Sequence, residues 1–304
     1  VDLEHARRIA VEAALAAGSA LRESVPGAAA ARPKGASGDV VTDLDLAAEK
    51  LIIERLRAEF PAHRIVAEES GVHAGSPAGS PAGSPAGSAA GYAAGPHGDG
   101  PEGDGWTWLV DPLDGTNNVA IGLPAYVVGL ALCAGSRPVV GVVHEPVSGH
   151  TWSAVRDAGA LGPAGPLTGP PRRDLPHGPV LGWTQGHGVS RRDPAARSLR
   201  MTMEVRARRV LQLWAPLLCW AMLARGDIDG MIGYHAEGLD LPAGALIAQE
   251  AGVEIRGFDG GLFEASAEGP PEDRSFVAAP PALVGDLLDL VAEARRLAPA
   301  LPPI

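Results

Sequence analysis

The run Trp108-Leu-Val-Asp-Pro-Leu-Asp-Gly-Thr-Asn-Asn places two carboxylates, Asp111 and Asp114, at the end of an apolar stretch. Trp106 to Val110 reads as a buried strand ending in Asp111, with Pro112 forcing a turn. Both carboxylates then face one cation, and the Leu113 carbonyl between them adds a third oxygen. Hard cations such as Mg²⁺ take oxygen ligands of this kind and keep waters for chemistry. If a helix starts after Asp114, the N–H groups of Gly115 and Thr116 form an anion site beside the metal. The Thr116 hydroxyl can then orient a water. Asp-Pro and Asp-Gly are also ordinary turn pairs, and a single Asp is commonly a cap. What points to metal and phosphate is the assembly, with the acidic pair Glu68-Glu69 upstream.

These carboxylates, with Asp45 and Asp240, each fall at the end of an expected element. A helix is expected over residues 2–23, with Leu3, Ala6, Ala10, Ala14, Ala17 and Leu21 near one face. A loop carrying Lys34 follows. Thr42, with Asp45 three residues on, resembles a capping box opening a second helix that Pro61 stops. Asp45 therefore reads either as a cap partner or as a catalytic base, and the two jobs are compatible. Arg64 to Ala67 is a short strand delivering Glu68-Glu69. Strands are expected over 126–134, 138–144 and 152–155, with a turn at 135–137 and a Pro/Gly-rich stretch at 159–179. Helices are expected over 216–225, 241–251 and 281–297, the first two with Pro near the start and Gly after the end. Asp240 by itself reads as an N-terminal cap. Alternating strands and helices imply a layered α/β protein. Residues 73–105, with a repeating Ser-Pro-Ala-Gly unit, lack the side chains to offset their ordering entropy and read as a flexible surface insertion.

Composition narrows the partners. The 304 residues carry 36 acidic and 25 basic side chains, a net charge of −11. That balance repels nucleic acid and anionic membranes, so neither is an expected partner. Cys133 and Cys219 lie in apolar runs with no metal or redox spacing and read as buried small hydrophobes. The first residues form a charged amphipathic pattern rather than an apolar signal, and no apolar run is long enough to span a bilayer, so a cytoplasmic setting is expected. Lys34 and Lys50 are the two lysines among 25 basic residues. Elsewhere this chain uses arginine, which draws attention to Lys34. Arg206, Arg208 and Arg209, with Arg197 and Arg200, could meet a second phosphate or a dimer partner, though such runs are more often solvated faces.

Val66-Ala-Glu-Glu-Ser-Gly, the 108–118 run and Gly238-Leu-Asp-Leu-Pro-Ala-Gly-Ala-Leu-Ile-Ala-Gln-Glu-Ala-Gly together resemble the inositol monophosphatase family, over nearly the whole chain outside 73–105. The resemblance implies an α-β-α-β-α sandwich, with an N-terminal α+β part (1–145) and a C-terminal α/β part (146–304) that completes the site. It also implies two or three Mg²⁺ ions. Glu68, Asp111 and the Leu113 carbonyl would hold the first. Asp111, Asp114 and Asp240 would hold the second, and Glu69 would support a third. Thr116 with Asp45, and Glu68, would activate water, while Gly115, Thr116, Asp114 and Lys34 would meet phosphate. A homodimer is implied by the same likeness.

The substrate half departs from the family pattern. Leu239 stands where the family has Trp, Leu213-Trp-Ala-Pro replaces Gly-Ser-x-Ala, and Val119 replaces Phe. Gly233 replaces an acidic residue that binds the inositol ring. Tyr234, His235 and Glu237 are candidates to contact a different leaving group. The expected activity is thus Mg²⁺-dependent hydrolysis of a small polar phosphate monoester: a sugar, cyclitol or amino-alcohol phosphate. Histidinol-phosphatase, fructose-1,6-bisphosphatase, bisphosphate nucleotidase or a non-catalytic phosphate-ligand binder are the alternatives.

Overall fold

Alanine-rich helical periodicity yields α1 (Leu3–Ser24), which buries Ala6, Ala10, Ala14, Ala17 and Leu21 as the spacing predicts. The computed structural model describes residues 1–24, 32–34, 39–41, 43–75, 105–170 and 176–302, with backbone alone for 32–34 and 39–41. Thr42, the side chain of Lys34 and nearly all of the 73–105 insertion lie outside the described residues. Along the first half come the antiparallel pair β1 (Arg32–Lys34) and β2 (Asp39–Val41), then α2 (Asp43–Glu59), β3 (Arg64–Ala67) and β4 (Gly71–His73). Next are β5 (Trp106–Asp114), the single turn α3 (Thr116–Ala120), β6 (Val127–Ala134) and β7 (Arg137–Glu145). Three strands follow: β8 (His150–Val155), β9 (Gly159–Gly162) and β10 (Gly165–Pro166). The expected Pro/Gly-rich loop at 159–179 thus begins as a hairpin. An eight-stranded sheet has the order β10-β9-β8-β7-β6-β5-β3-β4, so it runs on past residue 145, where the sequence divides the chain into parts.

The second half contributes β11 (Val180–Gln185), α4 (Pro194–Arg206), β12 (Arg209–Leu211), α5 (Pro216–Arg225) and β13 (Gly230–Tyr234). It ends with α6 (Pro242–Glu250), β14 (Glu254–Gly257), β15 (Phe276–Ala279) and α7 (Pro281–Leu297). Its five strands form a second sheet, β12-β11-β13-β15-β14. Helices α1 and α2 pack on one face of the large sheet, α5 and α6 fill the space between the sheets, and α4 and α7 cover the outer face of the small sheet. This is the expected α-β-α-β-α sandwich, with three apolar cores: one under α1 and α2, one around α5 and α6 that reaches both sheets, and one under α4 and α7. Among the described residues no helix is long and apolar enough to cross a membrane.

One local expectation is corrected. Pro112 does not end the strand in a turn: β5 continues to Asp114 through a bulge. Asp111 faces Gly129 and Asp114 faces Val127, so Pro112 and Leu113 oppose the single residue Val128. Pro has no N–H for the ladder, and a bulge is where a strand tolerates it. The arginine cluster is largely a solvated face, with Arg206, Arg208 and Arg209 exposed. Arg206 pairs with Glu293 at 2.6 Å and Arg197 donates to the Pro302 carbonyl, as a structural face would.

Candidate metal centre

The bulge decides where the carboxylates point. Side chains alternate along a strand, so residues three apart fall on opposite faces. The extra residue restores the parity and puts Asp111 and Asp114 on one face of β5. Strand β3 runs parallel to β5 with Ala67 beside Val110, and the Glu68 N–H donates to the Val110 carbonyl at 3.1 Å. Glu68 is thereby set alongside Asp111, and its side chain hydrogen-bonds that carboxyl. The third strand-independent contribution is Asp240, in the segment between β13 and α6. Leu241 occupies the N-cap position of α6 with no side-chain cap, so Asp240 is not that cap. One oxygen from each of Asp111, Asp114 and Asp240 lies within 4.8 Å of the others, the one such group among the described residues.

Three carboxylates at this spacing, two of them buried, repel one another. Burial, Glu68, Asp114 and Asp240 push the Asp111 carboxyl well above the ordinary carboxylate range. Burial and Asp240 do the same to Asp114, opposed by backbone N–H groups of Leu217 and Leu218. Those two amides open α5. Ala215 at its N-cap has no side chain to cap with, and the Asp114 Oδ2 accepts from the Leu217 N–H at 2.6 Å instead. The positive end of a helix thus favours the ionised form of Asp114. An all-oxygen donor set with excess negative charge in a buried place fits a hard divalent cation.

Thr116 begins α3 behind Gly115, whose φ of 108° brings it against the Ala125 carbonyl, where a Cβ would sit at 2.7 Å. The Thr116 Oγ1 lies 2.7 Å from Asp45 Oδ1 and 2.9 Å from the Leu113 carbonyl. A hydroxyl has one proton, and the charged acceptor, Asp45, takes the stronger bond. Asp45 is fully buried in the first turn of α2. Glu49, one turn later on the same face, is 2% exposed and accepts from the Glu69 and Ser70 N–H groups at 2.8 and 3.0 Å. It fixes the loop that carries Glu68. Sequence reasoning missed Glu49; the signal was an acid four residues after Asp45, on a face otherwise formed by Ala48, Ile52 and Leu56.

The remaining expected site residues are less convergent. The Glu69 carboxylate is not among the three clustered ones, and its backbone N–H is held by Glu49. Glu237 accepts from the His187 N–H at 2.7 Å. Lys34 pairs with Asp39 through the backbone of the β1–β2 hairpin. Both cysteines are buried as expected, and burial pushes each thiol up to about 12.

Known proteins of the same shape and sequence pattern supply independent findings. The inositol monophosphatase family matches residues 2–298. Inositol monophosphatase 1 of Solanum lycopersicum is 29% identical over 270 residues, 88% of this chain and 89% of that protein. Nus factor SuhB of Salmonella typhimurium is 30% identical over 257 residues, 83% of this chain and 85% of that protein. The solved structure of inositol monophosphatase from Anabaena (Nostoc) sp. PCC 7120 superposes with a TM-score of 0.72 at 23% identity, covering 100% of this chain and 99% of the other.

Proposed function

The chain belongs to the inositol monophosphatase family, and from that premise we propose that it is a magnesium-dependent phosphatase acting on a small polar phosphate monoester. Membership makes it a phosphoric monoester hydrolase of a metal-dependent kind. Within our reading, Glu68, Asp111, Asp114, Asp240 and the Leu113 carbonyl hold two Mg²⁺ ions, and Glu69 supports a third. Magnesium there supplies charge neutralisation for the phosphoryl oxygens and makes water more acidic.

The observation that carries the proposal is the Thr116 hydroxyl bonded at 2.7 Å to the fully buried Asp45, next to the carboxylate cluster. A site that only binds phosphate has no use for a hydroxyl already aimed at a base. Water attacking phosphorus gives its proton to Thr116 Oγ1 while the Thr116 proton passes to Asp45 Oδ1. Glu68 orients the same water. Phosphate oxygens rest on the Gly115 and Thr116 N–H groups, with Lys34 supplying a positive charge. The P–O bond to the leaving group breaks, and the alkoxide takes a proton from solvent water and leaves as the alcohol toward the segment before α5. There Trp214 is 54% exposed, three residues ahead of the amide that binds Asp114. Trp214 offers a ring face where the family has a small residue, and Glu237 adds a polar contact. These replacements favour a leaving group other than inositol. A homodimer in the cytoplasm completes the reading.

Phosphate release from inositol, histidinol, fructose and nucleotide monoesters, with Mg²⁺ and then with EDTA, tests it. Metal-dependent turnover of one of them supports the proposal and names its substrate; none turned over, with Mg²⁺ bound, contradicts it. A second reading, that the fold serves as a factor, is raised by the name of the SuhB relative. The Asp45–Thr116 pair counts against it.

A further inference from the structure

A cavity of about 690 Å³ opens between the small sheet and the outer helices, and none of the metal-site residues lines it. Its walls are rings. Tyr234 and His235 stack with centroids 4.0 Å apart, Phe258 lies 6.3 Å from Tyr234, and the Arg295 guanidinium sits over Phe258 at 5.5 Å. His235 holds this stack with φ at 48°, an unusual value for a residue with a Cβ. The His235 N–H donates to Ser275 Oγ and the Ala236 N–H to the Arg274 carbonyl, which fixes the bend. Strain of this kind tends to persist where binding uses it.

The inner lining carries a buried cation. Arg274 is 6% exposed; its Nε donates to the Ala236 carbonyl at 2.7 Å and its Nη1 to the Gly269 carbonyl at 2.6 Å. No carboxylate among the described residues forms an ion pair with it, and its Nη2 has no partner there. A largely buried guanidinium with no carboxylate at ion-pair distance and one nitrogen left open suits an anionic oxygen group. The mouth has the opposite character: Asp259, Glu264, Glu268, Glu272 and Asp273 line it and are all exposed. A simple anion would be repelled at this rim, and a simple cation would leave Arg274 unpaired.

We propose that this cavity is a second ligand site, for a zwitterion with a flat apolar body, in chemical class an aromatic amino acid. Its carboxylate meets Arg274, its ring lies against Tyr234 and Phe258, and its ammonium faces the acidic rim.

Calorimetric titration of the full chain with L-tryptophan, L-tyrosine and L-phenylalanine tests this, with tryptamine and indole-3-propionate as probes lacking one charge each. The site predicts that at least one amino acid binds and that each one-charge probe binds roughly tenfold or more weaker than L-tryptophan. Arg274→Gln removes the amino-acid binding. The surface double variant Glu268→Gln/Glu272→Gln, which leaves the buried lining intact, weakens the amino acid and tightens indole-3-propionate. No heat with any of the three amino acids at millimolar concentration overturns the proposal. So does equal affinity for tryptamine and L-tryptophan, or a surface double variant that binds as the parent does.

Discussion

Asp111 is asked to be buried, crowded by Glu68, Asp114 and Asp240, and yet charged when it works. Its folded-state pKa is raised, so its contribution to stability is fully present below the ordinary value of 3.8 and is lost as pH rises through the folded pKa. At neutral pH the metal-free fold therefore carries a penalty that a bound divalent cation would remove. Asp111→Asn should abolish turnover while raising the metal-free melting temperature, a gain on the order of 1–2 kcal/mol. A scanning melt in EDTA reads the second effect. Thr116→Val should keep the fold and lower kcat by about 10²–10⁴-fold, the range of positioned proton transfer. Glu49→Ala should cost about 1–3 kcal/mol in a urea melt by leaving two amides unpaired, and should weaken Mg²⁺ binding. The residue types of the cluster were legible in sequence because metal chemistry restricts them to oxygen donors at short spacing. Glu49 was not, because an acid that holds backbone amides looks like any solvated helix position until its burial is known.

At the level of elements, the site depends on two devices that local pattern conceals. One is the bulge in β5, and the other is α5 aimed at Asp114 from 103 residues away. Sequence shows Pro112 as a breaker, but whether the chain turns or bulges depends on the partner strand β6. Likewise, nothing near Pro216 announces that its missing cap comes from β5. Deleting Pro112 should regularise the strand and leave Asp111 and Asp114, then two apart, on one face, so stabilisation by Mg²⁺ in a thermal melt should persist. The contact of α5 with α6 is set by Gly244, where a Cβ would lie 2.5 Å from Trp220. Gly244→Ala should therefore lower the unfolding free energy read from a urea melt by about 1–3 kcal/mol through overpacking. Helix positions such as Leu3–Ser24 were readable from periodicity alone, since an alanine stripe facing a sheet leaves few alternatives.

For the molecule as a whole, five layers follow from alternating elements whose apolar faces must each find a cover. Which strands share a sheet was less legible: β8, β9 and β10 stay with the first sheet because they extend it hairpin by hairpin. Between α1 and the large sheet sits His144, 3% exposed and bonded to Thr151, with its ring against Gly18. Burial lowers its pKa below 6.5. Unfolded chains then bind a proton there that the folded chain does not, so stability is lost as pH falls below 6.5. Urea midpoints at pH 7.5 and 5.5 should fall further for the parent than for His144→Gln. The measurement that bears most directly on the central claim is phosphate release by the parent and by Asp111→Asn, each with Mg²⁺ and with EDTA. Release by the parent with Mg²⁺, and none from the other three combinations, is the expected result. Turnover that survives in Asp111→Asn, or in EDTA, would contradict it.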